Sequence, residues 1–207
     1  MMKKSIGIIL FAIILSGCSA RAVLVHKKVN YDPTQEARVR VYNSNGNSTT
    51  KVRNETSCQD LAQDPRKKRS RNPFSRENMY IGLPKRTLSN VTIGIPATER
   101  SVSALKRDSY TDTDSFREQV ITANKPVTIQ AGFHFTNEGM NSTQSMSCRI
   151  IGEFIPQAGK DYEVGFSHSN EGCRLFIYEL ASLKVAREDG VQAERANEIK
   201  YQRCTLN

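Results

Sequence analysis

The sequence predicts an all-β protein, an antiparallel β-sandwich of about seven to nine strands with a short C-terminal helix. Three observations predict it. Short segments alternate apolar and polar residues with period two, the spacing that gives a strand one buried and one wet face. Gly, Pro and Asn punctuate those segments frequently, as turns do. The chain also lacks the alternation of strand and helix that a doubly wound sheet requires.

Taken in order, residues 19–36 are mixed, with Val23, Leu24 and Val25 as their apolar cluster; they read either as a tether or as a first strand. Tyr31-Asp32-Pro33 marks a turn. Residues 37–42 then alternate Ala37, Val39 and Val41 with Arg38 and Arg40, a strand with one wet face. Asn45-Gly46 suits a tight hairpin turn, and Lys51–Arg53 is the expected partner strand. Residues 90–95 are β-rich and end at Pro96, and the polar residues 97–115 predict a surface loop. Glu118–Ile121 reads as a short strand before a turn at Asn124-Lys125.

From Val127 to Phe135 every odd position is apolar, which predicts a half-buried strand. Strands over 147–155, 161–166 and 173–180 are separated by turns at 156–159 and 169–172, which predicts an antiparallel meander. Residues 181–203 are rich in Ala, Glu, Arg and Lys and predict a helix interrupted at Gly190.

The N-terminus speaks to location. Lys3 and Lys4 precede an apolar run from Ile6 to Leu15. That run is too short for a bilayer core, which needs about 20 apolar residues. A charged start, a short apolar core and small residues mark an export signal. Here Ser16 and Gly17 lead straight into a cysteine, and Leu15-Ser16-Gly17-Cys18 resembles the lipobox of bacterial lipoproteins. The resemblance implies that residues 1–17 are removed and that Cys18 carries the acyl chains. Two or three such chains anchor a protein stably where one holds only marginally. Ser19 stands where members kept in the inner membrane tend to carry Asp, which implies the outer membrane of a Gram-negative envelope, facing the periplasm. The expected organisation is then a signal over 1–17, an anchor and tether over 18–36, and one sandwich domain over 37–207.

A second block, Phe154-Ile-Pro156-Gln-Ala-Gly159-Lys-Asp-Tyr-Glu-Val164 followed by Gly172-Cys173, resembles a pattern of uncharacterised exported β-sandwich lipoproteins. It implies architecture and no activity.

Cys58, Cys148, Cys173 and Cys204 are an even set, which in an exported chain reads as two disulfides. No pair has CxxC spacing and His26, His134 and His168 lie far apart, so a metal site is not expected. Three pairings are open. The preferred one joins Cys148 to Cys173 and Cys58 to Cys204. In a flat meander the first pair would sit about 9.6 Å apart. A bridge needs Cα atoms within about 7 Å, so this pairing demands a bend, a bulge or a switch of sheet.

No G-x-S-x-G elbow occurs, and the histidines fall in separate segments. Asp112-Thr-Asp114 has the spacing of early calcium-loop ligands without the following Gly or the closing Glu, and reads as a surface turn. Charge is the one local feature with force. The chain carries 30 Lys and Arg against 21 Asp and Glu. Within residues 64–86, Arg66, Lys67, Lys68, Arg69, Arg71, Arg76, Lys85 and Arg86 face only Asp64 and Glu77, about +6 net. Pro65, Pro73 and Pro84 argue for an exposed loop, with 79–82 as a strand inside it. In a cytosolic protein this run would read as a nucleic-acid patch. In an envelope the polyanions are lipopolysaccharide and anionic lipid, with Arg66, Lys67, Lys68, Arg69 and Arg71 as the anion-binding residues. The first expectation is a non-enzymatic scaffold or binding module for an envelope partner, without a cofactor. Polyanion binding through 64–86 comes second, and a hydrolase assembled from distant residues third.

Overall fold

A computed structural model describes residues 21–44, 50–63, 87–106, 114–138, 143–169 and 172–205. Among them, eleven strands form two sheets and two helices are short. The strands are β1 (Arg21–His26), β2 (Glu36–Ser44), β3 (Lys51–Arg53), β4 (Thr87–Thr92), β5 (Asp114–Thr122) and β6 (Val127–Glu138). There follow β7 (Thr143–Phe154), β8 (Asp161–Ser169), β9 (Gly172–Ser182), β10 (Ala193–Glu198) and β11 (Gln202–Arg203). The helices are α1 (Cys58–Gln63) and α2 (Glu99–Lys106). The larger sheet has the order β1-β4-β5-β2-β8-β9-β10, and the smaller β11-β7-β6-β3.

The two sheets share one core, as a sandwich requires. Ala37, Val39 and Val41 of β2, Tyr162 and Val164 of β8, and Leu175 and Ile177 of β9 come from the larger sheet. Ile129 and Ala131 of β6 with Ile150 and Phe154 of β7 come from the smaller. Period-two alternation places each of these sets on one face, so the pattern in the sequence is the pattern of the core.

Several expectations change once the strands find partners. The larger sheet is mixed, since β1–β4, β4–β5 and β2–β8 run parallel while β2–β5, β8–β9 and β9–β10 run antiparallel. Parallel neighbours need long crossover connections: α2 lies in that from β4 to β5, and strands of the smaller sheet lie in those from β1 to β4 and from β2 to β8. Lys51–Arg53 does not pair with β2. As β3 it pairs with β6 in the smaller sheet.

The meander over 147–180 is broken in the same way. β7 pairs with β6 and β8 with β2 and β9, so the turn at 156–159 carries the chain from one sheet to the other. Backbone bonds fix this crossing, from Asn124 N–H to Pro156 O (2.8 Å) and from Gly159 N–H to Glu36 O (2.8 Å). Gly159 takes φ of +74° there, a conformation open to glycine.

Residues 193–198 form β10 and 202–203 form β11, where a helix was predicted. Helix propensities differ by well under 1 kcal/mol per residue. The open edge of β9 offers a ladder of hydrogen bonds instead, and buried Ala193 packs with Ile95 and Leu180. Conversely, the predicted loop over 97–115 contains α2. Thr98 and Ser101 cap it reciprocally, with Thr98 N–H donating to Ser101 Oγ (2.9 Å) and Ser101 N–H to Thr98 Oγ1 (3.3 Å). The hairpin turn at Asn45-Gly46 and the strand at 79–82 lie outside the described residues.

Both disulfides form with the preferred pairing. Cys148 on β7 meets Cys173 on β9 with Cα atoms 5.8 Å apart, which the switch of sheet makes possible. Cys58 at the start of α1 meets Cys204 beyond β11 at 5.2 Å. The bridge spacings are 25 and 146 residues. The chain-entropy model then assigns about 3.5 and about 5 kcal/mol to them respectively. Urea unfolding should therefore show the double variant Cys58→Ala/Cys204→Ala losing more stability than Cys148→Ala/Cys173→Ala. The reverse order would contradict an entropic origin.

Candidate binding cleft on the seven-stranded sheet

The face of β2 that the sequence marks as wet is covered. Arg40, the basic residue at its middle, is only 1% exposed. Its Nε and Nη2 donate to Glu118 Oε1 on β5 at 2.9 and 2.7 Å, and Nη2 also donates to Ile95 O at 2.8 Å. Glu163 Oε2 on β8 lies 3.6 Å from its Nη1. Glu118 turns its other oxygen to the Thr92 hydroxyl (2.9 Å) and to the N–H groups of Ile93 (2.8 Å) and Ile95 (3.1 Å). Arginine with two carboxylates thus ties residues 92–95 down across the sheet. α2 follows and lays Ala104 on Tyr42 and Phe116. The alternation of Arg with Val identified which side chains avoid the inner core, but not what would cover them.

Between α2 and β10 this cover leaves a cleft of about 540 Å3. Its lining includes Thr98, Arg100, Asp114, Glu163, Val191 and Arg195. Glu163 has no exposed surface. Its Oε1 accepts from Arg195 Nε (2.8 Å) and Nη2 (2.6 Å), and its Oε2 from the Thr98 hydroxyl (2.5 Å) and the Tyr42 hydroxyl (2.9 Å). Burial alone would push this carboxyl up. The Thr98 hydroxyl and the Arg195 and Arg40 charges outweigh burial and hold it below the usual carboxylate range. Burial, then the Glu163 charge, pushes the Tyr42 phenol far up, so it stays a donor.

Two arginines form the walls. Arg100 lies 4.0 Å over the Tyr42 ring and donates through Nε to Asp114 Oδ2 (2.8 Å). It crosses β8 at Gly165, where a Cβ would stand 2.7 Å from its Nη1. Arg195 lies 4.8 Å over the Tyr178 ring. Both also line an adjoining hollow of about 250 Å3 with Phe166, Phe176 and Tyr178. The last two rings are parallel to within 6°, with centroids 6.3 Å apart.

Of the residues singled out from sequence, Cys18 and Arg66, Lys67, Lys68, Arg69 and Arg71 lie outside the described residues. Asp114 belongs to the cleft as the partner of Arg100. His26 is on β1, His134 on β6 and His168 on β8. Cys58, Cys204 and Glu153 do come together, with their donor atoms within 4.8 Å of one another. The two sulfurs are joined as a disulfide, however, and a metal binds thiolates. Glu153 instead accepts the Cys58 N–H at 2.5 Å.

Sequence reasoning missed Arg100, Glu163 and Arg195, which stand 32 to 95 positions apart along the chain. Arg195 lies in a stretch that reads as helix, Glu163 lies in the Phe154–Val164 block, which implied architecture alone, and nothing local marks Arg100. No family model, no curated protein and no solved structure matches this chain.

Glu163→Gln tests the network. Breaking a buried ion pair costs about 3–5 kcal/mol, because it leaves a buried charge uncompensated. A carboxyl whose pKa is held low in the fold contributes stability above its unfolded value, and loses it as pH falls through the folded value. Urea unfolding should therefore show a large loss for the variant at neutral pH, narrowing steadily as the pH drops below about 5. A gap that stays constant with pH would mean that Glu163 is not held as a carboxylate.

Proposed function

We propose that the chain is a lipoprotein, anchored through Cys18 in the outer membrane, that works as a non-enzymatic binding module for an envelope partner. The observation that carries this reading is the state of the arginines in the cleft. Arg100 is held by Asp114, Arg195 by Glu163 and Arg187 by Asp189. Fixed guanidinium groups beside flat ring faces present hydrogen-bond donors and apolar area with little ordering cost, as recognition surfaces do. The lipobox resemblance at Leu15–Cys18 and the two disulfides suit an oxidising envelope.

Two experiments test the reading. Cys18→Ala should leave a longer precursor that takes up no labelled palmitate and no longer fractionates with outer membrane; palmitate uptake by that variant would refute the anchor. A photocrosslinker at Ser103, on the cleft, should give a discrete adduct in intact cells. The same group at exposed Lys125 should not, and identical outcomes at the two positions would refute the cleft as the binding surface.

A second reading rests on charge. Eight basic residues against two acidic gather in 64–86. Near an anionic surface each contributes about 1 kcal/mol, screened within a Debye length. Changing Arg66, Lys67, Lys68 and Arg69 together to Gln should weaken binding to anionic liposomes or lipopolysaccharide at low salt, while stability shifts by less than about 0.5 kcal/mol. Equal binding by both forms would leave the cleft reading alone.

A further inference from the structure

On the outer face of the smaller sheet the charges are not balanced. The middle strand, β6, puts Thr128 and Gln130 on that face, opposite the core side chains Ile129 and Ala131. Arg53 on β3 stands opposite Thr128, and Arg149 on β7 stands opposite Gly132, so both reach Gln130 diagonally, one from each side. Arg53 Nη1 donates to Gln130 Oε1 at 3.1 Å and Arg149 Nη2 donates to the same oxygen at 3.2 Å. The two donor nitrogens are therefore no farther apart than those two bonds laid end to end. Lys51, opposite Gln130 on β3, adds a third cation to this face.

Among the described residues no carboxylate answers them. Among the described residues neither Arg53 nor Arg149 takes part in an ion pair. Glu153 on β7 accepts from Cys58 N–H (2.5 Å), and Glu55 beyond β3 accepts from the Thr122 hydroxyl (2.8 Å). Burial, and for Arg53 also the Arg149 charge, lowers both guanidinium groups from their ordinary value. An arginine does not shed its proton in a protein, so the repulsion stands. Unsatisfied donors surround the pair as well. Gln130, 1% exposed, leaves its Nε2 without an acceptor, and Arg149 Nε and Thr128 Oγ1 are likewise buried without partners. Buried polar groups normally have partners, and an unmade bond there lowers stability. In the larger sheet, by contrast, Arg40 has two carboxylates and Arg38 has Asp161.

We propose that Arg53, Arg149 and Gln130 form a binding site for a tetrahedral oxyanion, a phosphate group either free or carried on a lipid or glycolipid headgroup. Two planar guanidinium forks that approach one point from opposite sides offer donors in several directions, which suits a phosphate. The oxyanion supplies the missing negative charge and the missing acceptors together. Gln130 acts here as the positioning residue, since its carbonyl holds both forks toward one point. The site is built from residues of β3, β6 and β7 and shares none with the cleft, so it stands or falls independently of the reading proposed above.

The test is Gln130→Glu, which places a carboxylate where the oxyanion would act. The full-length chain in neutral detergent is titrated with inorganic phosphate at constant ionic strength, read by melting temperature and by calorimetry. The wild type should bind and melt higher with phosphate. Gln130→Glu should melt higher than the wild type without phosphate and show at least a tenfold weaker response to it. The variant with Gln at positions 66–69, in place of Arg66, Lys67, Lys68 and Arg69, should respond like the wild type. A second arm uses phosphatidylcholine vesicles with and without phosphatidic acid. Vesicle binding that needs phosphatidic acid and is lost in Gln130→Glu, with no response to free phosphate, assigns the group to a headgroup. A wild type that responds to neither probe, or a Gln130→Glu response equal to that of the wild type, would overturn the proposal. So would loss of the response in the variant at positions 66–69.

Discussion

The outer surface of the seven-stranded sheet depends on one buried cation. Arg40 is desolvated in the middle of β2 and is tolerable there because Glu118, Glu163 and the Ile95 carbonyl surround it. Each partner has a second task. Glu118 holds three donors of residues 92–95, and Glu163 holds Thr98, Tyr42 and Arg195. One guanidinium thereby fixes the segment that leads into α2, the cap of that helix and the arginine at the cleft wall. Replacing such a cluster by apolar residues is often neutral for stability in other proteins, so its value here is the placement of the cover.

The sandwich itself is held in a different way. Its inner faces are apolar and need no specific partner, so hydrophobic burial brings the sheets together while the crossing at 156–159 sets their order. Cys148–Cys173 then ties β7 to β9 across the two sheets, and Cys58–Cys204 ties α1 to the end of the chain. Leu61 of α1 and Ile151 of β7 pack around this second bridge, so it closes a small apolar cluster on the outer side of the smaller sheet. Beside that cluster stand Arg53 and Arg149, which have no ion pair among the described residues. Among the described residues the two outer faces thus differ in kind, one carrying its counter-charges and the other lacking them.

What the sequence by itself determined is the periodic part of this protein. The alternation along 37–42, 127–131 and 161–166 named core residues, because a strand's side chains fall on opposite faces whatever it pairs with. The even cysteine count predicted two bridges while leaving their pairing open, and the turn at 156–159 was read where it stands. Partners were decided by tertiary structure alone. A period of two does not say whether Lys51–Arg53 joins β2 or β6, nor whether β7 and β8 share a sheet, since each alternative buries the same face. Residues 193–198 had the composition of a helix and became a strand, because a free edge of β9 offered more than the small difference in propensity. The cleft and the Arg53–Arg149 pair were illegible for the same reason. Their residues are distant in the chain and individually ordinary, and only the register of neighbouring strands brings their charges within reach of one another.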